Sequence, residues 1–124
     1  MPIIEVDDFE SLQSELKKCS EKRKYVLFES GIDPISGIFW CPDCVKFDSI
    51  ITSAVENLPN NKILIRFNVG SRKQWKNPSN PLRHGAFMGV HITSIPFLVN
   101  TQNNAHFSSC EKMTIKEVED ILSS

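Results

Sequence analysis

The chain has 124 residues, and its 14 lysines and arginines against 15 aspartates and glutamates give a formal charge of −1. This length is most simply one domain, residues 1–124, that buries about two thirds of its unfolded surface without disulfides. The balanced charge gives no reason to expect nucleic acid or a membrane as a partner. No apolar run approaches the roughly 20 residues of a membrane span, and residues 1–8 lack the features of a secretory signal. We therefore expect a cytoplasmic protein whose cysteines are thiols in use.

The start of the chain alternates strand and helix patterns. Ile3–Val6 predicts a short strand, and Asp7 with Glu10 three residues later is typical of the capping box that starts a helix. That helix carries apolar residues at helical spacing as far as Cys19, which we expect to be a small core residue. Tyr25–Phe28 is short and apolar, which is the pattern of a strand buried on both faces.

A loop and a second helix come next. The glycines and proline of Ser30–Phe39 predict a loop, and it is longer than the about 2 to 6 residues that commonly join a strand to a helix. Pro42 suits the first position of a helix, because its missing N–H has no partner there. Apolar residues from Cys44 to Leu58 recur at helical spacing, and Lys62–Val69 predicts a second core strand.

The pattern weakens after that strand. Prolines limit helix to a short piece around Leu82–Phe87. Thr93–Val99 predicts a further strand, and Ala105–Ser109 is its expected hairpin partner. Thr114 and Glu117 form another capping box before a final helix. The predicted order of elements is therefore β-α-β-α-β-(α)-β-β-α.

Cys41 and Cys44 lie one helical turn apart where a strand runs into a helix, a junction typical of redox dithiols. Cysteines at such helix N-termini titrate between about 3.5 and 7.5 instead of at about 8.5, because free amides and the helix dipole stabilise the thiolate. We therefore predict that Cys41 attacks a disulfide and that Cys44 resolves the mixed disulfide. Asp43 is expected either to moderate the ionisation of Cys41 or to pass a proton to Cys44.

A zinc site is another use for such a pair. Structural zinc needs four ligands, and Cys19, Cys110 and the histidines provide no second paired spacing. We therefore predict no metal. Cys110 falls in a turn before the last helix, where we expect a surface thiol, with oxidation or glutathionylation as the functional alternative.

A resemblance to a known family extends over essentially the whole chain. A Trp-Cys-x-x-Cys motif after a buried strand, with Ile95–Pro96 near a later strand, resembles the thioredoxin superfamily. Trp40–Val45, the preceding loop, Val69–Gly70, Trp75–Asn80 and Arg83 are similar to the family of the thioredoxin-related protein of 14 kDa, also called thioredoxin domain-containing protein 17. The resemblance implies an α/β thioredoxin-like fold with a central mixed sheet flanked by helices.

The resemblance also implies a cytosolic disulfide reductase that binds no cofactor and receives electrons from NADPH through thioredoxin reductase. Its substrates would be small disulfides such as cystine and nitrosylated or persulfidated thiols. The bond before Pro96 would be cis, with the backbone of Ile95 opposite Cys41. The predicted site comprises Cys41, Asp43 and Cys44 for catalysis, and Trp40, Pro42, Ile95 and Pro96 for substrate binding.

Some features of the sequence differ from thioredoxins. Thioredoxins carry a buried Asp in the strand before the dithiol, whereas Phe28 corresponds to it here, so Asp43 is the nearest candidate for handling the Cys44 proton. The loop Ser30–Phe39 and the segment Trp75–Asn80 are expected to limit the access of large folded substrates to Cys41. Four basic residues suit contact with anionic small substrates or a reductase, namely Arg72, Lys73, Lys76 and Arg83.

Two other functions stay open. The fold could be a redox-gated binding module with little turnover, docking on a partner such as the dynein light chain that the family suggests. It could also be a disulfide isomerase or oxidant, which the missing secretory signal disfavours.

Overall fold

A computed structural model describes residues 1–18 and 20–123. Cys19, expected to be a core residue, lies outside the described residues. The strands are β1 (Ile3–Val6), β2 (Arg23–Glu29), β3 (Lys62–Asn68), β4 (Phe97–Asn100) and β5 (His106–Phe107). The helices are α1 (Phe9–Lys17), α2 (Pro42–Glu56), α3 (Arg72–Lys76) and α4 (Ile115–Ser123), with short 3₁₀ turns at Pro81–His84 and Cys110–Lys112.

The strands form one mixed sheet in the order β1-β3-β2-β4-β5. β1, β3 and β2 are parallel, and β4 and β5 run antiparallel to their neighbours. The predicted α/β class, a central mixed sheet flanked by helices, is confirmed. β2 lies in the middle, so the loop that leaves it carries the dithiol to the carboxyl ends of the parallel strands.

The sheet separates two apolar clusters. Val26 and Phe28 of β2 face one cluster, and Tyr25 and Leu27 face the other, because successive side chains of a strand point to opposite faces. All the buried apolar side chains of α2 beyond the dithiol belong to the Tyr25 side, namely Phe47, Ile51, Ala54 and Val55. Helix α2 is therefore held by burial along its length, which fixes the position of its first turn.

Several predicted boundaries need correction. The cap of α1 is Asp8 instead of Asp7, since the Asp8 carboxylate accepts the Ser11 amide at 2.7 Å. The strand predicted from Thr93 begins at Phe97, after the proline, which has no N–H for the ladder. The helix predicted around Leu82–Phe87 is the 3₁₀ turn at Pro81–His84, and β5 is confined to His106–Phe107.

Helix α3 went unpredicted, although its signature is present. Ser71 and Gln74 form a capping box, in which the Ser71 hydroxyl accepts the Gln74 amide and the Gln74 side chain accepts the Ser71 amide. The box predicted at Thr114 and Glu117 is confirmed, with both of its bonds at 3.1 Å. Within residues 1–18 and 20–123, no helix is long and apolar enough to cross a membrane.

Candidate active site

The two cysteines lie where α2 begins. Cys41 is the N-cap, Pro42 takes the first helical position as predicted, and the Cys41 carbonyl accepts the Cys44 and Val45 amides at 3.1 Å each. Both cysteines are free thiols. Cys41 is 9% exposed and Cys44 is 1% exposed, so the first thiol is the one that an incoming sulfur can approach.

Ser30, at the end of β2, contacts both cysteines. Its side chain is fully buried, and its Oγ accepts the Cys41 amide at 3.3 Å. Ser30 also lies close enough to the Cys44 thiol for its amide and hydroxyl to lower the pKa of that thiol. The Ser30 hydroxyl donates to the Gly31 carbonyl at 3.1 Å. From the sequence, Ser30 was predicted only as the first residue of a loop. Its position directly after a buried strand was the signal that its side chain is buried.

Burial raises the pKa of the Cys44 thiol far above its ordinary value. The hydrogen bonds from Ser30 oppose this rise, and the charge and hydrogen bond of the neighbouring Cys41 add to it. Cys44 therefore keeps its proton at neutral pH. The Cys44 thiol is thus the less accessible member of the pair.

The loop before β4 covers the other side of Cys41. The Ile95–Pro96 bond is cis, as the resemblance implied. The Ile95 carbonyl oxygen is 4.0 Å from the Cys41 Sγ, and Ile95 is partly buried while Pro96 is buried. The backbone of Ile95 therefore lies opposite Cys41, where an extended substrate chain could pair with it.

Trp40 is anchored from behind. Its indole Nε1 donates to the Gly70 carbonyl at 2.8 Å, and the Arg72 guanidinium stacks on its ring at 4.8 Å from the centroid. Arg72 also donates to the Trp40 carbonyl at 3.1 Å. Trp40 is thus partly buried, and together with Pro42 it lines an open groove beside Cys41.

The chain has relatives among known proteins. The model of a family described as thioredoxin domain-containing protein 17-like, thioredoxin domain, matches residues 5–124. The chain belongs to this family. Its membership supports a redox oxidoreductase role in general.

Individual relatives agree with that assignment. The chain is 36% identical over 93 residues to the thioredoxin-like protein Clot of Arabidopsis thaliana, which covers 73% of this chain and 68% of the relative. It is 29% identical over 96 residues to thioredoxin domain-containing protein 17 of Mus musculus, covering 77% and 74%. The reduced thioredoxin pre-protein of Schistosoma mansoni has a similar structure, with a TM-score of 0.60 at 18% identity over 99% of this chain and 97% of that one, which shows the shared fold.

A buried carboxylate, which the sequence comparison did not find, lies in β2. Phe28 points away from α2, whereas the next residue, Glu29, points toward it. The Arg66 guanidinium donates to both Glu29 carboxylate oxygens, at 2.7 and 2.8 Å, and to Asp48 of α2 at 2.7 Å. The alternation of Tyr25, Leu27 and Glu29 was the available signal. This ion-pair cluster fastens α2 to the sheet, with Asp48 one turn beyond Cys44.

The remaining candidates are placed as follows. Asp43 is exposed in the first turn of α2, on the outer side of the helix. Trp75 is buried, and Arg83 stacks on it at 4.5 Å, so this segment braces the fold. Of the four basic residues named above, Arg72 is the one that lines the groove beside Cys41. Within the described parts of the chain, no three histidine, cysteine or acidic side chains are grouped to hold a metal.

The expectation of a surface thiol at Cys110 is wrong. The residue is fully buried, and its thiol donates to the Phe107 carbonyl at 3.2 Å. Burial raises its pKa to about 12. The short 3₁₀ turn packs against α2 and turns the side chain into the core, which a turn assigned from sequence alone does not reveal.

Proposed function

We propose that the protein is a dithiol-disulfide oxidoreductase that reduces small disulfides, such as cystine, and modified protein thiols. The observation that carries this proposal is the asymmetric pair: Cys41 at the start of α2 against the Ile95 carbonyl, and Cys44 buried against Ser30. An accessible attacking sulfur and a shielded resolving sulfur are what a two-step exchange needs.

In the first step, the Cys41 thiolate attacks one sulfur of the substrate disulfide, and the other sulfur leaves with the bond electrons and takes a proton. In the second step, the Cys44 sulfur attacks the Cys41 sulfur of the mixed disulfide. The second substrate thiol leaves and takes up the proton lost by Cys44. The substrate has gained two electrons and two protons, and the enzyme holds a Cys41–Cys44 disulfide.

Ser30 is the group through which we expect Cys44 to become reactive. Its backbone amide already faces the Cys44 sulfur, and a hydroxyl rotation from the Gly31 carbonyl would aim a second donor at the same sulfur. Two donors would stabilise the developing thiolate on a residue that is only 1% exposed. Asp43, exposed one residue earlier, would receive or release protons at the surface.

The cycle closes when an outside dithiol reduces the Cys41–Cys44 disulfide. We propose thioredoxin reductase, using NADPH, as the electron donor and the cytosol as the compartment, in keeping with the family. Arg72 beside Trp40 would attract the carboxylates of small substrates such as cystine. The site needs no bound cofactor for this chemistry, because both electrons reside in the thiols.

The test is a coupled assay of NADPH oxidation with thioredoxin reductase and cystine, comparing the wild-type protein with Cys41→Ser and Cys44→Ser. We expect no turnover with Cys41→Ser, and with Cys44→Ser a trapped mixed disulfide at Cys41 visible by mass spectrometry. Full turnover by Cys41→Ser would contradict the proposal. Negligible turnover by the wild-type protein, together with tight binding to a dynein light chain that depends on the redox state, would favour the binding module instead.

A further inference from the structure

The loop between β2 and α2 is an ordered hairpin rather than an irregular connection. Ile32 and Phe39 form an antiparallel bridge, and the Asp33 amide donates to the Ile38 carbonyl at 2.7 Å. The Asp33 carboxylate accepts the Ile35 amide at 2.9 Å, which shapes the tip as an Asx turn. We call residues 30–39 the hairpin. Its side chains are therefore presented from a defined backbone.

The hairpin presents aliphatic side chains to water. Ile35 at the tip is 96% exposed, Ile38 is 54% exposed and Ile32 is 50% exposed. Ile32 and Ile38 line one groove together with Val45 from the first turns of α2. A scattered apolar residue needs no explanation, but a group of large aliphatic side chains on one ordered projection is typical of an interaction surface. We call Ile32, Ile35, Ile38 and Val45 the isoleucine patch.

Acidic groups surround the patch. The grooves beneath the hairpin are lined by the Arg66 guanidinium, which Glu29 and Asp48 engage on the inner side. Carboxylates outnumber this single cation in the same grooves, where the acidic side chains are Glu5, Asp7, Glu29 and Asp48. In the grooves beneath the hairpin the acidic side chains therefore exceed the basic one, which favours a cationic neighbour there, while Arg72 and Asp33 offset each other in the groove beside Cys41.

The patch is continuous with the dithiol. A groove of about 510 Å³ starts at Trp40 and Pro42, on either side of Cys41, and reaches Asp33 and Ser36 next to the hairpin tip. Ile38 and Val45 form part of its wall. A chain whose sulfur meets Cys41 would therefore extend along this groove toward Ile35.

We propose that the hairpin binds a polypeptide segment that carries an aliphatic side chain and a lysine or arginine near the sulfur attacked by Cys41. This rests on the proposed function and names a substrate class for it. An aliphatic side chain would cover the isoleucine patch, and the cation would meet the carboxylates around Arg66. The negative surroundings disfavour an anionic membrane as the occupant.

The test uses two synthetic peptides of about ten residues, which extend to about 33 Å, each joined through one cysteine to the same chromophoric thiol. One peptide has leucine and arginine beside the cysteine, and the other has serine and glutamate. We expect kcat/KM to be about tenfold higher for the leucine and arginine peptide, which corresponds to about 1.4 kcal/mol.

Ile35→Ser is the decisive variant, because Ile35 is almost wholly exposed and its loss leaves the folded core intact. It should remove most of the preference between the peptides while leaving reduction of the symmetrical chromophoric disulfide unchanged. Ile115→Ser is the matched control, because Ile115 is an exposed isoleucine outside the hairpin, 42% exposed at the start of α4, and the variant should keep the full preference.

Equal rates for the two peptides with wild-type protein would overturn the inference, and so would an Ile35→Ser variant that slows peptide and small disulfide alike. Binding to anionic phospholipid vesicles, or dimerisation with rising concentration, that is lost in Ile35→Ser would also overturn it by assigning the isoleucine patch to another occupant. Failure of the proposed function is distinguishable, since then neither the peptides nor the small disulfide would be reduced.

Discussion

Ser30→Ala tests how the buried thiol becomes a nucleophile. The substitution removes the Oγ that accepts the Cys41 amide at 3.3 Å and lowers the pKa of the nearby Cys44 thiol, but it keeps the Ser30 backbone amide. A hydrogen bond to a charged group is worth about 1.5–3 kcal/mol. Because the backbone donor remains, we take the lower end, about 1.5 kcal/mol, which slows a step by roughly tenfold.

The loss should fall on the second step alone. In a single turnover with a chromophoric disulfide, release of the first thiol reports attack by Cys41, and release of the second reports resolution by Cys44. We expect the first phase to change by less than about threefold and the second to slow by about tenfold, since only the second step places a charge on Cys44. Acid quenching and mass spectrometry should then show the mixed disulfide at Cys41 accumulating.

Two results would refute this reasoning. An unchanged second phase in a folded Ser30→Ala protein would show that the hydroxyl has no part in resolution. An equal slowing of both phases with a lower thermal midpoint would mean that Ser30 only supports the loop. Ser49→Ala is a suitable control, because Ser49 lies exposed on α2, the helix that carries Cys44, and its hydroxyl donates to the Lys46 carbonyl at 3.3 Å.

Three further predictions concern stability. Burial raises the pKa of Cys110 from 9.0 to about 12, so above about pH 9 the unfolded thiol loses a proton that the folded one keeps. This thiol should lower the unfolding free energy by about 1.4 kcal/mol per pH unit up to about pH 12, in addition to the fall caused by the buried Cys44 thiol, so urea titrations of Cys110→Ala should show a smaller slope. Glu29→Gln leaves the buried Arg66 guanidinium with one carboxylate fewer and should lower the free energy of unfolding in urea by about 3 kcal/mol. Glu29→Leu combined with Arg66→Met should lower it by less, because no buried charge is then left without its partner. Gly31→Ala would bring a Cβ to 2.7 Å from the Gly70 carbonyl oxygen and should lower stability by about 1–3 kcal/mol, so an unchanged thermal midpoint would show that the two backbones separate freely.

Most of the fold could be predicted because its elements have strong local signals. The apolar runs of β2 and β3, the capping box at Thr114 and the periodicity of α2 are each decided within a few residues. The errors occur where distant contacts decide. The strand predicted from Thr93 begins only at Phe97, and the depth of Cys110 depends on how a short turn meets α2.

The candidate site also has a part that the sequence predicts and a part that it does not. The dithiol, its helix and the cis bond before Pro96 followed from a motif and a resemblance, since each is a short linear pattern. Ser30 and the Glu29 ion pair did not, because both acquire a role only when β2 is set beside α2 and β3. Arg66 is far from Glu29 in the chain, and no local pattern joins them.

One segment of the chain serves both the chemistry and the recognition proposed here. It begins at Ser30 under Cys44 and ends at Trp40 beside Cys41, and between them it projects as the hairpin. Its base is closed by the Gly31 amide on the Gly70 carbonyl at 2.9 Å and by the Trp40 amide on the Gly31 carbonyl at 3.2 Å. Because the base is fixed independently of the tip, substitutions at the tip can change which partner binds without moving the groups around the two thiols. A loop of this length is thus a means of varying substrate preference on a constant dithiol.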